Sequence, residues 1–335
     1  MKKALFLVFC VLTIFCSCDQ APIFYDISQE IKLDDPTITG KVYSIKMVDS
    51  VLYAANSNLY EKSVSEKRWK KVSNTPSNII DIAYAGDYLY VLAEPTSEGT
   101  YTVYAHKLNT ENTLDKDSSW EEVITGISYL FDNQDFSEAN AYCSGKDGDT
   151  WQVYDLTESS ASPMTGVKSI YGSDSEIKSA VHLKETDYFS SDISMVAVPV
   201  GSDGGYIYVR DGKTVKCAND ITEVNQYISD SSQPSPFTAT SSTKEIITSL
   251  SVFDNKLYAG TESGFEVAKL SNDGMLFDFS EPSSNAESSF GTREVLGIWN
   301  FDGKDNFFVS VTSTQSSNYD ALWGFDSKTE KWNIE

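Results

Sequence analysis

A hairpin unit that recurs along the chain constrains its fold more than any other sequence feature. Copies of this unit occur at 42–56, 79–93, 247–261 and 295–311. In each copy, apolar and polar residues alternate, a short turn follows, and a second apolar stretch contains an aromatic residue. The turn residues are Asp49-Ser50, Gly86-Asp87, Asp254-Asn255 and Asp302-Gly303. Because alternation with a period of two is typical of strands and these turn residues tolerate positive φ angles, each copy is predicted to be a β-hairpin.

A second pair of strands is predicted after several of these hairpins. It is visible at 58–72, 101–123 and 321–335, where a strand and a polar turn precede an outer strand marked by a tryptophan. The tryptophans in this equivalent place are Trp69, Trp120 and Trp332. The hairpin and the outer pair together give four antiparallel strands per unit.

The spacing of the units suits one particular all-β architecture. Aligning the units on a residue of their second strand gives Tyr53, Tyr90, Tyr142, Val196, Tyr258 and Phe308. Successive positions are 37 to 62 residues apart, and four-stranded units of roughly 40–50 residues are typical of β-propeller blades. We therefore predict a β-propeller of six four-stranded antiparallel blades over 42–335, with a long exposed loop at 229–243. A seventh blade near 215–245, or a two-domain β-sandwich, is the alternative.

The high aromatic content fits a fold built from several small sheets. The chain has 19 Tyr, 17 Phe and 6 Trp, or 13% aromatic residues, which is too many for a disordered acidic chain. Small sheets that pack face to face need wide side chains to fill the space between them. We expect the recurring aromatics to lie between the sheets rather than on loops, where they would form a platform for sugars.

Two short segments resemble known propeller repeats. Residues 322–334, LWGFDSKTEKWNI, resemble the second half of a kelch repeat, although the glycine pair that is diagnostic of kelch hairpins is missing. Residues 144–151, SGKDGDTW, resemble the Asp-box turn of sialidase-type propellers, with Asp147 one position later than in that motif. Both resemblances imply a propeller, and neither fixes the family.

The N-terminus resembles the signal of a bacterial lipoprotein. Two lysines near the start are followed by an apolar run over 4–15 and then by Cys16-Ser17-Cys18. The run has the length of a signal peptide and is shorter than the roughly 20 residues of a membrane-spanning helix. The resemblance, to the relaxed form of the motif in spirochaetes, implies lipidation of Cys18. Lipidation of Cys16 would place a phenylalanine before the cleaved bond, and an ordinary secretory signal is the other alternative.

This resemblance divides the chain and implies a location for it. We predict a signal peptide at 1–17, a lipidated N-terminus and tether at 18–41, and the propeller domain at 42–335. Lipid chains on Cys18 would anchor the protein to the inner or outer membrane of the cell envelope, facing the periplasm or the exterior. No other segment has the length of an apolar membrane span.

The charge balance excludes one class of partner. The chain carries 26 basic and 49 acidic residues, a net charge of −23, and removal of the signal would leave 24 against 49. Because such a chain repels phosphate backbones, we predict no binding to nucleic acid. Beyond the signal region the cysteines are Cys143 and Cys217. An exported compartment permits a disulfide between them, and two buried thiols are the alternative.

The sequence contains no recognisable catalytic constellation. Arg68, Arg210 and Arg293 occur in three different kinds of place, so they are not expected to form the arginine triad of a sialidase. His106 and His182 accompany no nucleophile motif, and metal-binding spacings and glycine-rich phosphate loops are missing. We therefore predict no catalytic residue, no metal and no cofactor, and the binding residues remain unidentified.

These features favour a non-catalytic role. We expect a membrane-anchored propeller lipoprotein that binds a protein or glycan partner, or acts as a scaffold, in the cell envelope, with its oligomeric state left open. Loops on a rigid scaffold are the usual place for binding residues. The alternative is a glycan-acting hydrolase or lyase with carboxylates at the mouth of the central channel.

Overall fold

The computed structural model of the protein describes residues 38–97, 99–132, 141–147, 150–163, 181–183, 193–199, 205–218, 234–235, 237–253, 256–271, 276–280, 293–301, 306–312 and 320–335. They all belong to one compact unit, Thr37–Glu335. The predicted signal peptide, Cys18 and most of the predicted tether lie outside the described residues. So do the turns at 254–255 and 302–303 and the centre of the Asp-box segment.

Every regular element in these ranges is a β-strand, which confirms the all-β prediction. The strands form five antiparallel sheets in which neighbours in sequence pair with each other. The first sheet contains β1 (Ser44–Val48), β2 (Val51–Ala55), β3 (Leu59–Ser63) and β4 (Lys70–Lys71). The second contains β5 (Asp81–Ala85), β6 (Tyr88–Ser97), β7 (Thr100–Lys107), β8 (Glu121–Asp132), β9 (Ala141–Asp147), β10 (Thr150–Thr157) and β11 (Ser160–Pro163).

The remaining sheets follow in chain order. The third contains β12 (Val181–Leu183), β13 (Ile193–Pro199), β14 (Gly205–Asp211), β15 (Thr214–Ala218) and β16 (Ala239–Ser242). The fourth contains β17 (Ile247–Phe253), β18 (Lys256–Thr261), β19 (Gly264–Leu270) and β20 (Leu276–Ser280). The fifth contains β21 (Glu294–Asn300), β22 (Phe307–Thr312), β23 (Ala321–Asp326) and β24 (Lys331–Ile334). The first, fourth and fifth sheets each have the four strands predicted for a unit.

Two of the predicted tight turns are confirmed in detail. Val48 pairs with Val51 and Ala85 pairs with Tyr88, so two residues connect the strands in each hairpin. The first residue of each turn has a positive φ angle, 50° at Asp49 and 56° at Gly86. The sequence preference of aspartate and glycine for this conformation therefore has a direct structural basis.

The predicted loop at 229–243 is wrong in its last part. Residues 239–242 form β16, which pairs with β15 from Cys217↔Ala239 to Thr214↔Ser242. A run rich in serine and threonine predicts a loop because it lacks apolar alternation, yet β-branched and hydroxyl side chains fit an edge strand well. Both β15 and β16 belong to the third sheet, although the region around them was a candidate for a separate blade.

The second sheet joins two predicted units through one long strand. The first part of β8 pairs with β7, down to Tyr101↔Ile127, and its last part pairs with β9, from Ile127↔Gly145 to Asp132↔Ala141. The pairing of β8 with β7 shifts register at Gly126, which has a φ of 77°. The outer strand of one unit therefore continues directly into the first strand of the next.

Clusters of buried apolar side chains lie between the sheets. Within the described chain, five such clusters join the first sheet to β5–β7, β5–β7 to β8–β10, the third sheet to the fourth, the fourth to the fifth, and the fifth to the first. The second-strand aromatics that belong to these clusters are Tyr53, Tyr90, Tyr258 and Phe308. Each is at most 7% exposed, so the expectation that they fill the space between sheets is confirmed.

The segment ahead of β1 packs against the fifth sheet. Ile38 is fully buried and its backbone N–H donates to the carbonyl oxygen of Glu335 at 3.5 Å. Thr39 forms an antiparallel bridge with Ala321, and the N–H of Val42 donates to the hydroxyl of Ser310 at 3.2 Å. The first and the fifth sheets are therefore joined through the backbone as well as through their shared core.

The two cysteines in the described part of the chain do not form a disulfide. Cys143 lies on β9 and Cys217 on β15, and both are buried in separate core clusters. Burial raises the pKa of the Cys143 thiol well above its ordinary value. Of the two alternatives that the sequence left open, the buried thiols are correct. No helix among the described residues is long and apolar enough to cross a membrane.

Candidate functional site

A cluster of charged side chains lies where β1, β5 and the end of β8 meet. Its members are Lys46 on β1, Asp81 at the start of β5 and Asp132 at the end of β8, and we call it the Lys46 cluster. The Lys46 Nζ lies 2.7 Å from Oδ1 of Asp132, and the side chain of Asp132 is only 2% exposed. Both β1 and β5 are terminal strands of their sheets and pack against each other. Three chain segments thus bring one ammonium and two carboxyl groups together.

The two carboxyl groups satisfy backbone donors of β5. The N–H of Ile82 donates to Oδ1 of Asp81 at 2.8 Å, and the N–H of Tyr84 donates to Oδ2 of Asp132 at 2.8 Å. A terminal strand has no partner strand on one side, so the amides that point there need other acceptors. The carboxylates therefore complete the hydrogen bonding of alternate residues of this strand.

The environment of Asp81 makes it a weaker acid than usual. Burial raises the pKa of Asp81 to about 6, and the negative charge of Asp132 contributes to the rise. The Lys46 ammonium and hydrogen bonds from the Ser44 hydroxyl and the Ile82 amide oppose it. Burial dominates because taking a carboxylate out of water disfavours its charged form. Asp81 therefore titrates much closer to neutral pH than an ordinary aspartate.

The Lys46 cluster has one property of a catalytic site and one of a structural site. A carboxyl group that titrates near neutral pH beside an ion-paired carboxylate can serve general acid–base chemistry. In both aspartates, however, one oxygen already accepts a backbone amide, and the other oxygen of Asp132 accepts Lys46. The observed contacts hold three strands together. Among the described residues, no group of three or more His, Cys, Asp or Glu side chains is arranged to hold a metal ion.

A second charged contact joins the first sheet to the fifth. Lys62 Nζ lies 2.6 Å from Oε2 of Glu335, and the indole N–H of Trp69 donates to the same oxygen at 3.0 Å. The ammonium lies 5.1 Å from the ring centre of Trp69 and 4.9 Å from that of Phe308. Gly324 leaves room for the carboxylate, because a Cβ at this position would lie 2.2 Å from Oε1 of Glu335.

The arginines lie where the sequence placed them, on three different sheets. Arg68 is exposed just before β4, and Arg293 directly precedes β21. Arg210, at the end of β14, donates from Nη1 to the carbonyl oxygens of Ile247, at 3.1 Å, and of Thr248. Arginines on different sheets can still meet at one place, so the predicted absence of a carboxylate-binding triad stays a prediction.

The side chain of one of the two histidines lies within the described residues. His106 lies on β7, as predicted, and is 6% exposed. Its Nδ1 lies 2.8 Å from the carbonyl oxygen of Lys107, and its ring packs edge-on against Trp120 with ring centres 4.9 Å apart. This histidine therefore belongs to the packing of the second sheet. The side chain of His182 lies outside the described residues.

Sequence reasoning missed both charged contacts. Lys46 interrupts an apolar first strand, and Asp81 stands at the corresponding strand of the next unit. Charged residues inside predicted core strands were the available signal, because an ionic group is buried only when it is paired. The pairing partners, Asp132 and Glu335, carried no such signal, since they lie 86 and 273 residues away in sequence.

The described part of the chain is built from antiparallel β-sheets, and the N-terminal sequence of the chain resembles a lipoprotein signal. The model of the TP013X lipoprotein family matches residues 2–273. The chain therefore belongs to the TP013X lipoprotein family. Membership of this family places it at a membrane of the cell envelope through a lipid anchor.

Short segments of the chain are similar to curated lipoproteins of Treponema pallidum (strain Nichols). One uncharacterized lipoprotein is 38% identical over 56 residues, which are 17% of this chain and 15% of the relative. Another is 32% identical over 111 residues, 30% of this chain and 22% of the relative. The matched segments thus span less than a quarter of the length of these relatives. They agree with the resemblance to spirochaete lipoproteins at the N-terminus.

Two solved structures are similar to the chain over most of its length. The AfRom2 CNH domain has a TM-score of 0.48 and 10% sequence identity, with 89% of this chain and 96% of that chain covered. The β-propeller domain of the Trilobed protease from Pyrococcus furiosus has a TM-score of 0.44 and 9% identity, with 89% and 98% covered.

Proposed function

We propose that the protein is a six-bladed β-propeller, lipidated on Cys18, that binds a protein or glycan partner or acts as a scaffold in the cell envelope without performing catalysis. The observation that carries this proposal is that core clusters join the first sheet to the second, the third to the fourth, the fourth to the fifth and the fifth back to the first. Such radial packing suits a rigid platform whose loops present the binding residues.

The count of six rests on the second sheet. Its strands β5–β7 and β9–β11 share β8, and a separate core cluster lies between these two halves. With the halves counted as two blades, the five sheets make six. Five of the six expected interfaces are then the observed clusters, and the sixth would join β9–β11 to the third sheet, where the side chains between 164 and 207 lie outside the described residues.

Contacts of the Lys46 cluster support a non-catalytic role. The oxygens of Asp132 are occupied by Lys46 and by the backbone of β5, so this carboxylate stabilises the meeting point of three strands. The raised pKa of Asp81 is the specific observation that favours the alternative, a glycan-acting hydrolase or lyase. The two readings differ in what the carboxyl group of Asp81 does, and therefore in the behaviour of an amide variant.

Photo-cross-linking on intact envelopes tests the binding role. A photoreactive residue is introduced at Ser50 in the β1–β2 turn or at Ser57 in the β2–β3 turn, which lie at opposite ends of β2. We expect one defined partner to be captured from one end and not from the other. Capture of nothing from either end, with the protein folded, would contradict the proposal. The matched position at the other end controls for non-specific capture.

Glycan cleavage by wild type and by Asp81→Asn tests the alternative. A hydrolase that uses Asp81 as its acid or base should lose most of its activity in the variant, by roughly 100- to 10,000-fold. The non-catalytic proposal expects no cleavage by either protein. Activity in the wild type that disappears in Asp81→Asn, while the variant remains folded, would replace the binding role by the enzymatic one.

A further inference from the structure

One short segment of this acidic chain is strongly basic. Residues 66–71 read Glu-Lys-Arg-Trp-Lys-Lys, with four basic residues and one acidic residue. The whole chain has 26 basic residues against 49 acidic ones, so this concentration departs from the general composition. We call residues 66–71 the basic segment.

The fold presents these charges at an outer edge. Lys67, Arg68, Lys70 and Lys71 are all exposed, whereas Trp69 between them is 2% exposed. Lys70 and Lys71 form β4, the terminal strand of the first sheet, which pairs with β3 through Tyr60↔Lys71 and Glu61↔Lys70. The buried indole fixes the segment to the core, and the basic side chains on either side of it extend from the surface.

The single acidic residue of the segment offsets only one of its four positive charges. Glu66 pairs with Lys70 at 2.8 Å, and both side chains are well exposed, at 43% and 62%. An exposed pair of this kind is weak and is screened by salt. The segment therefore keeps a net positive charge within a protein that is negative overall.

The chain enters the described domain beside this segment. The N–H of Ile38 donates to the carbonyl oxygen of Glu335, and the side chain of the same Glu335 accepts the indole N–H of Trp69. Ile38 and Trp69 also share one core cluster. Cys18 precedes Ile38 by twenty positions in the sequence, so the proposed tether reaches the described domain beside the basic segment.

We propose that the basic segment binds the anionic lipid headgroups of the membrane that carries the anchor. This inference rests on the proposed lipidation of Cys18. Basic residues near an anionic bilayer contribute about fivefold each in affinity, and the rest of this acidic surface is repelled. Charge and tether then set one orientation, with the outer edge of the first sheet toward the lipid and the other sheets available to a partner.

Lysine acetylation of the full-length lipoprotein on vesicles tests the orientation. The protein is bound to vesicles of phosphatidylcholine alone, or of equal parts phosphatidylcholine and phosphatidylglycerol, and floated to isolate the bound fraction. A water-soluble acetylating ester is then applied, and each lysine is read by mass spectrometry. We expect Lys67, Lys70 and Lys71 to be protected on the anionic vesicles alone and exposed again at high salt. The exposed Lys256 and Lys269 of the fourth sheet serve as internal controls.

Several outcomes would overturn the proposal. These are equal protection on both vesicle types, protection of the control lysines to the same degree, or no protection at all. If soluble polyglutamate protects these lysines from acetylation as strongly as anionic vesicles do, the segment would instead bind an acidic protein. Flotation distinguishes a failure of this proposal from a failure of the proposed lipidation of Cys18. An unlipidated protein would fail to float with neutral vesicles. Such a protein should still float with anionic ones if the segment acts as proposed.

Substitution gives an independent measurement. In the Cys18→Ala background, the ratio of partition constants on anionic and neutral vesicles should fall about a hundredfold when Lys67, Lys70 and Lys71 are changed to Gln. The same change at Lys107, Lys256 and Lys269, which are exposed elsewhere, should alter it little. Lysines on an edge strand can also oppose edge-to-edge association. An unchanged ratio together with new self-association would assign the segment to that role and overturn ours.

Discussion

Lys62 and Glu335, which lie 273 positions apart in the chain, form an ion pair of 2.6 Å between the first sheet and the fifth. The Lys62 side chain is only 6% exposed. An ammonium this well shielded from water depends on its partner more than an exposed one does, because its charge has little solvent to stabilise it. The pair therefore joins the first and fifth sheets at a point where apolar side chains of both sheets also meet.

Replacing Glu335 by Ala should destabilise the protein strongly. The variant leaves the buried Lys62 ammonium without this carboxylate and removes the acceptor of the Trp69 indole. We expect a loss of about 3 kcal/mol in the free energy of unfolding, measured by urea denaturation. Glu66→Ala, which removes the exposed partner of Lys70, is the control and should change stability little. Equal losses in the two variants would show that the buried Lys62–Glu335 pair stabilises the protein no more than the exposed Glu66–Lys70 pair.

Changing Asp81 to Asn should stabilise the protein at neutral pH and not in acid. Burial raises the pKa of Asp81 to about 6 in the folded chain, above the value near 4 of an unfolded aspartate. The folded state therefore holds the proton more tightly, and Asp81 destabilises the protein increasingly as the pH rises through this range. The advantage of the variant in unfolding free energy should grow by on the order of 2 kcal/mol between about pH 4 and about pH 7.

Asp326→Asn is the matched control for this pH dependence. A backbone hydrogen bond from Lys328, followed by side-chain and backbone hydrogen bonds from Thr329, lowers the pKa of Asp326. Its contribution therefore has the opposite sign: it stabilises the protein at neutral pH and is lost as the pH falls below the ordinary aspartate range. The control variant should be less stable than the wild type at neutral pH and equal to it in acid. The same pH trend in both variants would contradict the assigned environment of Asp81.

Gly145→Ala should separate two strands of the second sheet. An added Cβ would lie 2.3 Å from the carbonyl oxygen of Gly126 on the neighbouring strand. Because a backbone atom cannot rotate away as a side chain does, β8 and β9 would have to move apart. We expect a destabilisation of about 3 kcal/mol, read from urea unfolding. Gly212→Asn, at a turn with open space and a φ of 58°, should be tolerated. A well-tolerated Gly145→Ala would count against the observed register of β8 and β9.

Lipidation at Cys18 is tested by metabolic labelling with radioactive palmitate. The wild type and Cys16→Ala should incorporate label, whereas Cys18→Ala should not, because only Cys18 has a small residue immediately before it. Label in Cys18→Ala together with loss of label in Cys16→Ala would assign the anchor to Cys16. No label in any of the three would favour an ordinary secretory signal.

Local sequence patterns predicted much of the fold. Period-two alternation predicted the hairpins, and the first turn residues, Asp49 and Gly86, have the positive φ angles expected of them. The aromatic residue of the second strand is buried between sheets at Tyr53, Tyr90 and Phe308. These features could be read from sequence because a strand, a tight turn and a buried ring each depend on a few consecutive residues.

The errors arose where structure depends on residues distant in the chain. Residues 239–242, Ala-Thr-Ser-Ser, show no apolar alternation and are predicted as part of a loop, but pairing with β15 makes them a strand. Two predicted units share β8, since its two parts pair with different neighbours on either side of Gly126. In both cases the partner strand decided the outcome, and partner strands are not specified by local propensity.

The sequence by itself determined the strand pairs of the hairpins, their tight turns and the aromatic side chains of the core, and its N-terminus resembles that of a lipoprotein. Only the tertiary structure decided that Lys46 meets Asp132, that Lys62 meets Glu335, and that the basic segment lies beside the point where the chain enters the domain. The physical reason is that alternation and turn chemistry are local, whereas a charged contact depends on a distance in space, which separation in the sequence does not set.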